Sequence, residues 1–552
     1  PQLLRVTFNQ LTCWPDLGRG AFGAPLTFAL DPLDSADAFN PARLFLADVG
    51  GSGGVDLLDA KPDGLRLYRN QAGNGFDSPL PLPWPDGFRY DDSAELRFGD
   101  LAGHGAVSLL LSQRHGEPKH WRYDFLSGPA GLLSQIDNQC GRTIQLSYRS
   151  SAQFRLDEKR SYPASVSHLP LTLALCSQVV DRDAVQGHAD TRRYAYQGGL
   201  YDPTERTFNG FRRVDRSDQG DAYDGYGQPL VEPALTRSWY HTGQPDDATD
   251  RSDYYAGDAQ AYTLGDTRVT SWDGSKDSTP TSSDPLWHQV LKGKLLHEEV
   301  YPADISDAVP RRVNSSRWQL RVMQAATASA DAVVSPLLLE RLHADYDDTG
   351  FDPRFSQQVV LSRDSDGNVT RQARVHYPRR VQDPAFSDPL LTPEQLAATY
   401  DDSQQRLRLQ EGTLAWTRVV DDSNWRLGLP TQQVEQALDY PASSAGSGLS
   451  FETLSDPNGL LGPDAPRTLT DWRTQSYLNA SSVLLAIGRV TGQQHAVLDD
   501  STAHSTYDPV LGSDQVATQL QAAGYVSQTL NGLNYWVAQR QSASYALSLI
   551  HI

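Results

Sequence analysis

The chain has 552 residues, of which 48 are Lys or Arg and 68 are Asp or Glu, giving a formal net charge of -20. This balance argues against a nucleic-acid partner, because no basic cluster is present to neutralise phosphates, and no apolar run approaches the ~18 residues needed to span a bilayer, so we expect no membrane insertion. The 43 Gly, 34 Pro and 24 Tyr favour an all-β protein of many short strands with few short helices.

The three cysteines, Cys13, Cys140 and Cys176, are far apart and odd in number, so neither a disulfide framework nor a thiolate metal site is indicated. We predict that all three are buried thiols. The chain begins with Pro1 and stops at Ile552 without a turn or a cap, and we interpret it as an internal fragment of a longer protein.

Residues 1–115 contain an internal repeat. The stretch Leu44–Leu58, LFLADVGGSGGVDLL, returns as Leu96–Leu110, LRFGDLAGHGAVSLL, so that Asp48 and Asp100 occupy equivalent places 52 residues apart. Each copy predicts a strand, a glycine-rich loop and a second strand, and the repeat length is typical of a propeller blade. We therefore predict a partial β-propeller in this region.

The glycine-rich loops resemble those of FG-GAP and VCBS blades, which often bind calcium through side-chain oxygens. In the first loop the candidate ligands are Asp48, Ser52 and Asp56, and the second loop offers little besides Asp100. Because calcium takes six or more oxygen ligands, these three residues are weak candidates and we expect no cofactor. The glycines are interpreted as tight-turn residues.

Longer strands are predicted from 116 to 230, a β-rich linker or middle domain. Its most specific part is Arg192–Asp215, RRYAYQGGLYDPTERTFNGFRRVD. The alternating tyrosines predict a strand that ends at Gly198-Gly199, Asp202-Pro203 supplies a turn, and Asn209-Gly210 is a strong hairpin signal. We predict a β-meander with an aromatic core whose structural residues are Tyr194, Tyr196, Gly199, Tyr201, Asp202, Pro203, Glu205, Arg206, Phe208, Gly210 and Phe211.

This order of motifs resembles the central signature of the B component of bacterial insecticidal toxin complexes, the Tc or ABC toxins. The related SpvB-like and RHS-family proteins carry the same signature. Further stretches in the family's order extend the resemblance over about residues 1 to 540, covering the family's middle regions and leaving out its usual N-terminal SpvB-like domain and its long repeat array.

Residues 231–552 are predicted to form an RHS-type β-shell portion that is truncated at the C-terminus. The polar residues 242–284 predict a long surface loop. The turn at Asp364–Thr370, set between two alternating runs, resembles one degenerate YD repeat. Helices are few: Thr392–Gln395 is a capping box, and Ser513 is predicted to cap a second helix.

Catalytic motifs are not found in the sequence, which has no Gly-x-Ser-x-Gly, no His-Glu-x-x-His, no P-loop and no dinucleotide fingerprint. His288 and His297 lack a third ligand at metal spacing, so we interpret them as structural. The aromatic residues Tyr68, Trp84 and Trp121 serve either a partner surface or packing between blades. We predict no catalytic residues and no enzymatic activity.

The resemblance implies a non-enzymatic structural and delivery subunit of an insecticidal toxin complex. Its propeller would dock on a channel-forming A subunit, and its β-shell would enclose toxic cargo together with an RHS-repeat C subunit. The complex would be secreted and extracellular, and the chain cytoplasmic before release.

Two alternatives stay open at this point. One is an RHS or YD-repeat surface or secreted adhesion protein that binds glycans or a protein partner through its propeller. The other is part of an SpvB-like toxin whose catalytic domain lies outside this chain.

Overall fold

The chain divides into two compact units, Pro1–Leu235 (unit 1) and Thr236–Ile552 (unit 2). Both are mostly β, which confirms the predicted class, whereas the predicted boundary at residue 115 stays a prediction. The computed structural model describes residues 3–18, 20–103, 105–128, 130–220, 234–280, 283–302, 309–327, 330–346, 352–380, 390–420, 425–477, 479–480, 483–484, 490–530 and 533–541.

Short strands open unit 1. Their bounds are Leu3–Val6 (β1), Gln10–Trp14 (β2), Asp16–Gly18 (β3), Ala21–Phe22 (β4), Leu26–Ala29 (β5), Leu44–Ala47 (β6), Asp56–Lys61 (β7), Gly64–Tyr68 (β8), Leu80–Leu82 (β9), Ala94–Gly99 (β10), Ser108–Gln113 (β11) and Lys119–Asp124 (β12). A 3-10 helix, Pro41–Arg43, precedes β6. The strands form small antiparallel sheets in the orders β1-β2-β5, β3-β4, β6-β7-β8-β9 and β10-β11-β12.

Three aromatic residues of this region, Tyr68, Trp84 and Trp121, pack against its hydrophobic clusters. Tyr68 and Trp84 are only 1% and 9% exposed, and the half-buried Trp121 contacts the same hydrophobic cluster as Trp84. The Trp84 ring stacks on Tyr90 at 5.7 Å between centroids, and Phe88 meets Trp121 edge-on at 5.4 Å. These contacts favour the packing interpretation of the three aromatic residues.

Five strands that pair antiparallel in succession follow in unit 1. Their bounds are Gln135–Asp137 (β13), Arg142–Ser150 (β14), Ala174–Asp183 (β15), His188–Asp202 (β16) and Thr207–Gly220 (β17). Helix α1, Ser151–Ser161, leaves directly from β14.

The prediction of three buried thiols is fully confirmed for one cysteine and is wrong for Cys140. Cys13 is buried in β2 and Cys176 is half-buried in β15, but Cys140 is exposed. Cys140 lies in the tight turn between β13 and β14, where its amide donates to Asn138 Oδ1 at 2.8 Å. Turns in which an Asn side chain accepts a backbone amide are typical of the protein surface. Cys140 is therefore exposed to solvent together with its turn.

Longer strands dominate from residue 234 onward. Their bounds are Ala234–Tyr240 (β18), Arg268–Trp272 (β19), Asp277–Ser278 (β20), Leu295–Pro302 (β21), Arg312–Gln324 (β22), Val333–Asp345 (β23), Arg354–Arg363 (β24), Val369–His376 (β25), Arg406–Val420 (β26), Trp425–Pro441 (β27), Thr468–Tyr477 (β28), Asn479–Ala480 (β29), Val483–Leu484 (β30), Val490–Asp499 (β31), Tyr525–Leu530 (β32) and Leu533–Gln541 (β33). The helices are Pro393–Ala398 (α2), Phe451–Leu454 (α3), Asp500–Leu511 (α4) and Ser513–Ala522 (α5), with 3-10 helices at Pro285–Leu291, Asp402–Gln405 and Ala442–Ala445.

These strands build a large sheet by successive antiparallel pairing from β21 through β28, then β31 and β33, with β32 on β33. Strand β19 joins β22 in parallel. The predicted hairpin at Asp364–Thr370 is confirmed as the β24–β25 connection, where Asp364 Oδ1 accepts the amides of Asp366 and Asn368 at 3.0 and 2.8 Å.

One face of this sheet carries a row of directly paired residues. Arg317 lies opposite Glu340, Glu340 opposite Val359, Val359 opposite Ala373, and Ala373 opposite Glu411. Directly opposed residues share a face, so the row crosses five strands on one side of the sheet. All five side chains are buried. The main hydrophobic cluster of unit 2 includes Val359 and Ala373 and lies on this face of the sheet.

The polar stretch 242–284 is largely irregular and has many exposed residues, as its composition predicts, but it is not only a surface loop. Tyr255, Tyr262 and Leu264 pack against the hydrophobic cluster on the sheet, and the stretch also contains β19 and β20. The Tyr262 ring stacks on Tyr377 at 4.0 Å and meets Phe355 edge-on at 5.0 Å. A few aromatic side chains bury enough surface to hold an otherwise polar segment in place.

A second irregular segment, 442–467, is held to the same face by an ion-pair network. Arg317 Nη1 donates to Glu340 Oε1 at 2.5 Å, and its Nη1 and Nη2 donate to the two carboxylate oxygens of Glu452 at 2.9 Å each. The amide of Phe451 donates to Glu340 Oε1 at 3.1 Å. Helix α3 is therefore anchored to the sheet by charge-assisted, two-pronged hydrogen bonding.

The helix predictions are confirmed in part. Thr392 caps α2 through a capping box with Gln395, as the sequence predicts. Ser513 is the first residue of α5 and the N-cap is Gly512, which offers no side-chain cap. None of the helices within the described ranges is long and apolar enough to cross a membrane.

We expect Glu452→Gln to make the stability of unit 2 depend less steeply on pH in the acidic range. Partial burial raises the pKa of Glu452, but the Arg317 guanidinium more than offsets this and lowers it to about 2 from an ordinary value of 4.5. A depressed pKa means that the stabilisation is present above pH 4.5 and is lost as pH falls toward 2. Urea midpoints measured from pH 7 to pH 2 should fall less steeply in this window for Glu452→Gln than for wild type.

The control is Glu394→Gln, an exposed carboxylate in the first turn of α2. This variant should follow the wild-type pH profile through the same window. If the urea midpoints of wild type and Glu452→Gln fall equally steeply between pH 4.5 and 2, the Arg317–Glu452 ion pair does not stabilise unit 2.

Candidate functional site

The signature residues build one hairpin, β16 and β17, in unit 1. Strand β16 runs unbroken through Gly198-Gly199, and the hairpin turn lies at residues 203–206. Asn209-Gly210 is therefore inside β17 and not at the turn, which corrects both sequence predictions. Leu200 pairs with Gly210 and Tyr201 with Phe208, so Asn209 is the extra residue of a β-bulge.

The turn is fixed by the aspartate of the signature. Asp202 Oδ1 accepts the amides of Thr204 and Glu205 at 2.8 and 3.1 Å, a side-chain substitute for a backbone turn. Arg206 closes the turn with a left-handed φ of 54°, and its Nη1 lies 3.5 Å from Asp16 Oδ2 in β3. Pro203 and Glu205 are exposed at the tip.

Three aromatic residues of the signature form a contiguous cluster of edge-on and tilted ring contacts. Tyr196 meets Phe154 of α1 at 5.3 Å between centroids and Phe211 at 5.0 Å, and Phe211 meets Phe208 at 5.2 Å. The Tyr196 hydroxyl donates to the Cys176 carbonyl oxygen at 2.9 Å, and burial raises its pKa to about 12. These contacts agree with an aromatic cluster at the signature and add the helix residue Phe154 to it, although Phe208 is 38% exposed, and the structural role of the signature residues stays a prediction.

The remaining tyrosines of the signature lie beside this aromatic cluster. Tyr194 is half-buried in β16, opposite Arg216. The amide of Tyr201 donates to the His168 carbonyl oxygen at 3.0 Å, which fastens the loop before β15 to the hairpin.

The glycines of the signature permit close approach. A Cβ on Gly199 would lie 2.9 Å from the Phe211 ring and 3.1 Å from Leu169. Gly198 and Gly210 have left-handed φ values of 62° and 99°, which favour glycine. The hairpin therefore needs glycine at 199 because of close packing, and at 198 and 210 because of the backbone conformation.

A cavity of about 330 Å³ lies between this hairpin and α1. Its wall includes Tyr196, Gly199 and Phe211 from the signature, and Arg155 and Glu158 from α1. Arg155 is held by Glu158 at 3.1 Å and by the Ser165 hydroxyl at 2.6 Å. The arrangement presents a rigid concave surface.

Helix α1 was missed by the sequence prediction. Ser150 and Gln153 form a capping box at its start, and the pattern Ser-x-x-Gln was there to find. Its low content of apolar residues hid it, because only Ser151 and Phe154 are buried.

The glycine-rich loops repeat in structure as they do in sequence. Asp48 Oδ2 accepts the amide of Gly53 at 2.8 Å, and Asp100 Oδ2 accepts that of Gly105 at 2.7 Å. Both acceptors are five residues before their donors, and Gly53 and Gly105 both have left-handed φ. Each aspartate thus organises its own loop.

The candidate calcium ligands are occupied by backbone amides. Asp48 Oδ1 accepts from Ser52 at 3.0 Å, while Asp56 accepts from Val49 and Gly50 through Oδ2 at 3.1 and 3.2 Å. No group of three or more His, Cys, Asp or Glu residues in the described ranges is placed to hold a metal ion.

Comparison with known proteins gives a consistent match. Models of the insecticide toxin TcdB match in two regions, the middle/N-terminal region over residues 70–243 and the middle/C-terminal region over 287–429. The crystal structure of TcdB2–TccC3 aligns with 98% of this chain and 27% of that chain at 33% identity and a TM-score of 0.82. This chain belongs to the TcdB family, the B components of Tc toxins.

Two further solved structures agree. TcdB2–TccC3–Cdc42 and the Photorhabdus luminescens Tc holotoxin pore each align at 33% identity with a TM-score of 0.82, over 98% of this chain and 26% of theirs. The chain thus spans about a quarter of these relatives. Comparison with curated protein sequences gave no match. The signature hairpin lies inside the region matched by the TcdB middle/N-terminal model.

We expect Gly199→Ala to destabilise unit 1. The added Cβ would overlap the Phe211 ring and Leu169, and overpacking of this kind costs about 1–3 kcal/mol. Thermal and urea denaturation would measure the loss. Gly99→Ala is the matched control, because a Cβ there meets nothing within 4 Å and should change stability by less than about 0.5 kcal/mol. Equal effects of the two substitutions would refute the close-packing role.

We expect calcium to leave the melting temperature of the chain unchanged. The carboxylate oxygens of Asp48 and Asp56 already accept backbone amides, so binding would have to break the loop hydrogen bonds. Differential scanning fluorimetry with and without a chelator checks this. A melting temperature that rises with calcium concentration and falls for Asp48→Ala would overturn it.

Proposed function

We propose that this chain is part of a structural and delivery subunit of a Tc-type insecticidal toxin complex, a role that requires no catalysis by the chain itself. The observation that carries the proposal is the alignment of 98% of the chain with TcdB2 in complexes with TccC3 at 33% identity. Identity at this level across nearly the whole chain supports a shared architecture and a shared kind of assembly.

The repeated small sheets of unit 1 support a docking role. Two copies of one strand-loop-strand unit, organised by Asp48 and Asp100, are suited to a propeller that presents a rigid face. We propose that these sheets are blades of a β-propeller that docks on a channel-forming A subunit.

The large antiparallel sheet of unit 2 supports an enclosing role. Long hairpins that pair in succession extend a sheet strand by strand. Because strands are twisted, a sheet of many strands curves and can enclose a volume. We propose that unit 2 contributes to a hollow RHS-type shell, completed by an RHS-repeat C subunit, that holds toxic cargo. The assembled complex acts outside the producing cell, and the subunit is cytoplasmic before release.

The test uses the full-length parent protein, because this chain covers only 26% of the holotoxin relative's chain. Co-expressed with a C subunit from the same organism, it should give one particle in which the cargo domain resists trypsin. The same domain should be digested when the C subunit is expressed alone. Electron microscopy with an A subunit should place residues 1–128 against that subunit.

Equal digestion of the cargo with and without the parent protein would count against the shell. An A subunit that binds the parent protein away from residues 1–128 would count against the docking role and leave the shell intact.

A further inference from the structure

Three polar side chains of unit 2 form a continuous hydrogen-bonded line across β21 and β22. His297 lies directly opposite Ser315 in the antiparallel pair. Ser315 Oγ is 2.9 Å from His297 Nδ1, and His297 Nε2 is 2.9 Å from Glu299 Oε1. A hydroxyl, an imidazole and a carboxylate in this order are the parts of an activated nucleophile.

The carboxylate fixes the imidazole tautomer. Glu299 is fully buried and also accepts the Tyr301 hydroxyl at 2.6 Å and the Tyr255 amide at 2.5 Å. Burial raises the pKa of Glu299, but the hydrogen bonds from His297, Tyr255 and Tyr301 outweigh it and leave the pKa lowered. An ionised carboxylate only accepts, so His297 Nε2 carries the proton and Nδ1 is free to accept one from Ser315.

The imidazole is also held in place by its neighbours. Its ring stacks on Tyr254 at 3.9 Å with an interplanar angle of 10°, and Trp239 lies 5.3 Å away on a tilted plane. A base whose position is fixed before the reaction loses little entropy in reaching the transition state.

The serine opens on a cavity of about 230 Å³. Ser315 and His297 are in its wall together with the aromatic residues Tyr254, Tyr255 and Trp318. An apolar cavity of ~150 Å³ holds a benzene molecule, so this one has room for a phenyl group and a short acyl arm. Thr263 and Thr267 also line the cavity, and a hydroxyl is the kind of donor that stabilises a developing oxyanion.

We propose that Ser315 is a nucleophile, activated by His297 and positioned through Glu299, that takes the acyl group of small aromatic esters. The Ser315 oxygen forms a bond to the carbonyl carbon while its proton passes to His297 Nδ1. The ester carbon–oxygen bond then breaks, and the leaving alcohol takes the proton from His297. A water molecule then attacks the acyl carbon and gives a proton to His297 Nδ1, the bond from the acyl carbon to the Ser315 oxygen breaks, and that oxygen takes the proton back as the acid leaves.

This activity goes beyond the delivery role and does not depend on it. The sequence motifs of hydrolases have fixed spacing along one segment, whereas these groups come together across two strands, so the search for motifs could not find them. Ser315 and His297 would be catalytic residues and Glu299 a positioning residue.

The test is covalent labelling of the chain with phenylmethylsulfonyl fluoride, whose ring suits the cavity. Serine oxygen attacks sulfur, fluoride leaves, and the proton goes to His297. We expect one phenylmethylsulfonyl group per chain, mapped to Ser315 by peptide mass spectrometry. Labelling should vanish in Ser315→Ala and slow by at least about 100-fold in His297→Asn. Ser316→Ala, the neighbouring serine, should label as wild type.

Hydrolysis of 4-nitrophenyl acetate is the second readout, and it should follow the labelling across the same variants. Mapping of the label in wild type keeps the test decisive even where a variant fails to fold. Native chain that labels no faster than urea-denatured chain, or labels at serines other than Ser315, would overturn the proposal.

Discussion

Buried carboxylates hold the irregular parts of unit 2 against its sheet. Glu299 binds the amide of Tyr255, and Glu340 binds the amide of Phe451 together with Arg317. Glu411 binds Arg371 and Arg467 at 2.6 and 2.7 Å. Breaking a buried pair by removing one partner typically costs about 3–5 kcal/mol, because it leaves a charge without compensation. The two segments that cover the sheet face depend on these contacts.

The pairing of buried carboxylates also explains how a chain with a net charge of -20 can place charged residues next to a hydrophobic core. The row from Arg317 to Glu411 places charges among Val359 and Ala373 on one face, but each charge there meets an opposite charge or a backbone donor. Apolar side chains such as Leu342 and Leu409 fill the space between. Paired charges thus specify where each covering segment attaches, and apolar burial supplies the driving force.

In unit 1 the corresponding constraint is steric. The signature hairpin brings two strands, a helix and a loop together around Phe211 and Tyr196, and this leaves no room for a side chain at Gly199. The residues of the family signature are therefore explained by the packing of this hairpin. Its glycines allow close contact and left-handed backbone, its aspartate forms the turn, and its aromatic residues contact one another and helix α1.

Sequence alone determined what depends on neighbours along the chain. The β class, the 52-residue repeat with its two glycine-rich loops, the Thr392 capping box and the Asp364–Thr370 hairpin all follow from local periodicity and turn chemistry, and the family was already recognisable from the order of motifs.

Tertiary structure decided everything that depends on partners far away in sequence. Asn209-Gly210 has the composition of a hairpin turn, but the Asp202 turn closes the hairpin first and makes Asn209 a bulge. The polar stretch 242–284 packs on the sheet face because Tyr255 and Tyr262 meet Tyr346 and Phe355, aromatic residues about ninety positions later in the chain. Cross-strand pairing likewise sets His297 beside Ser315. Side chains on separate strands meet only when the sheet register is fixed, and the register is a property of the whole fold.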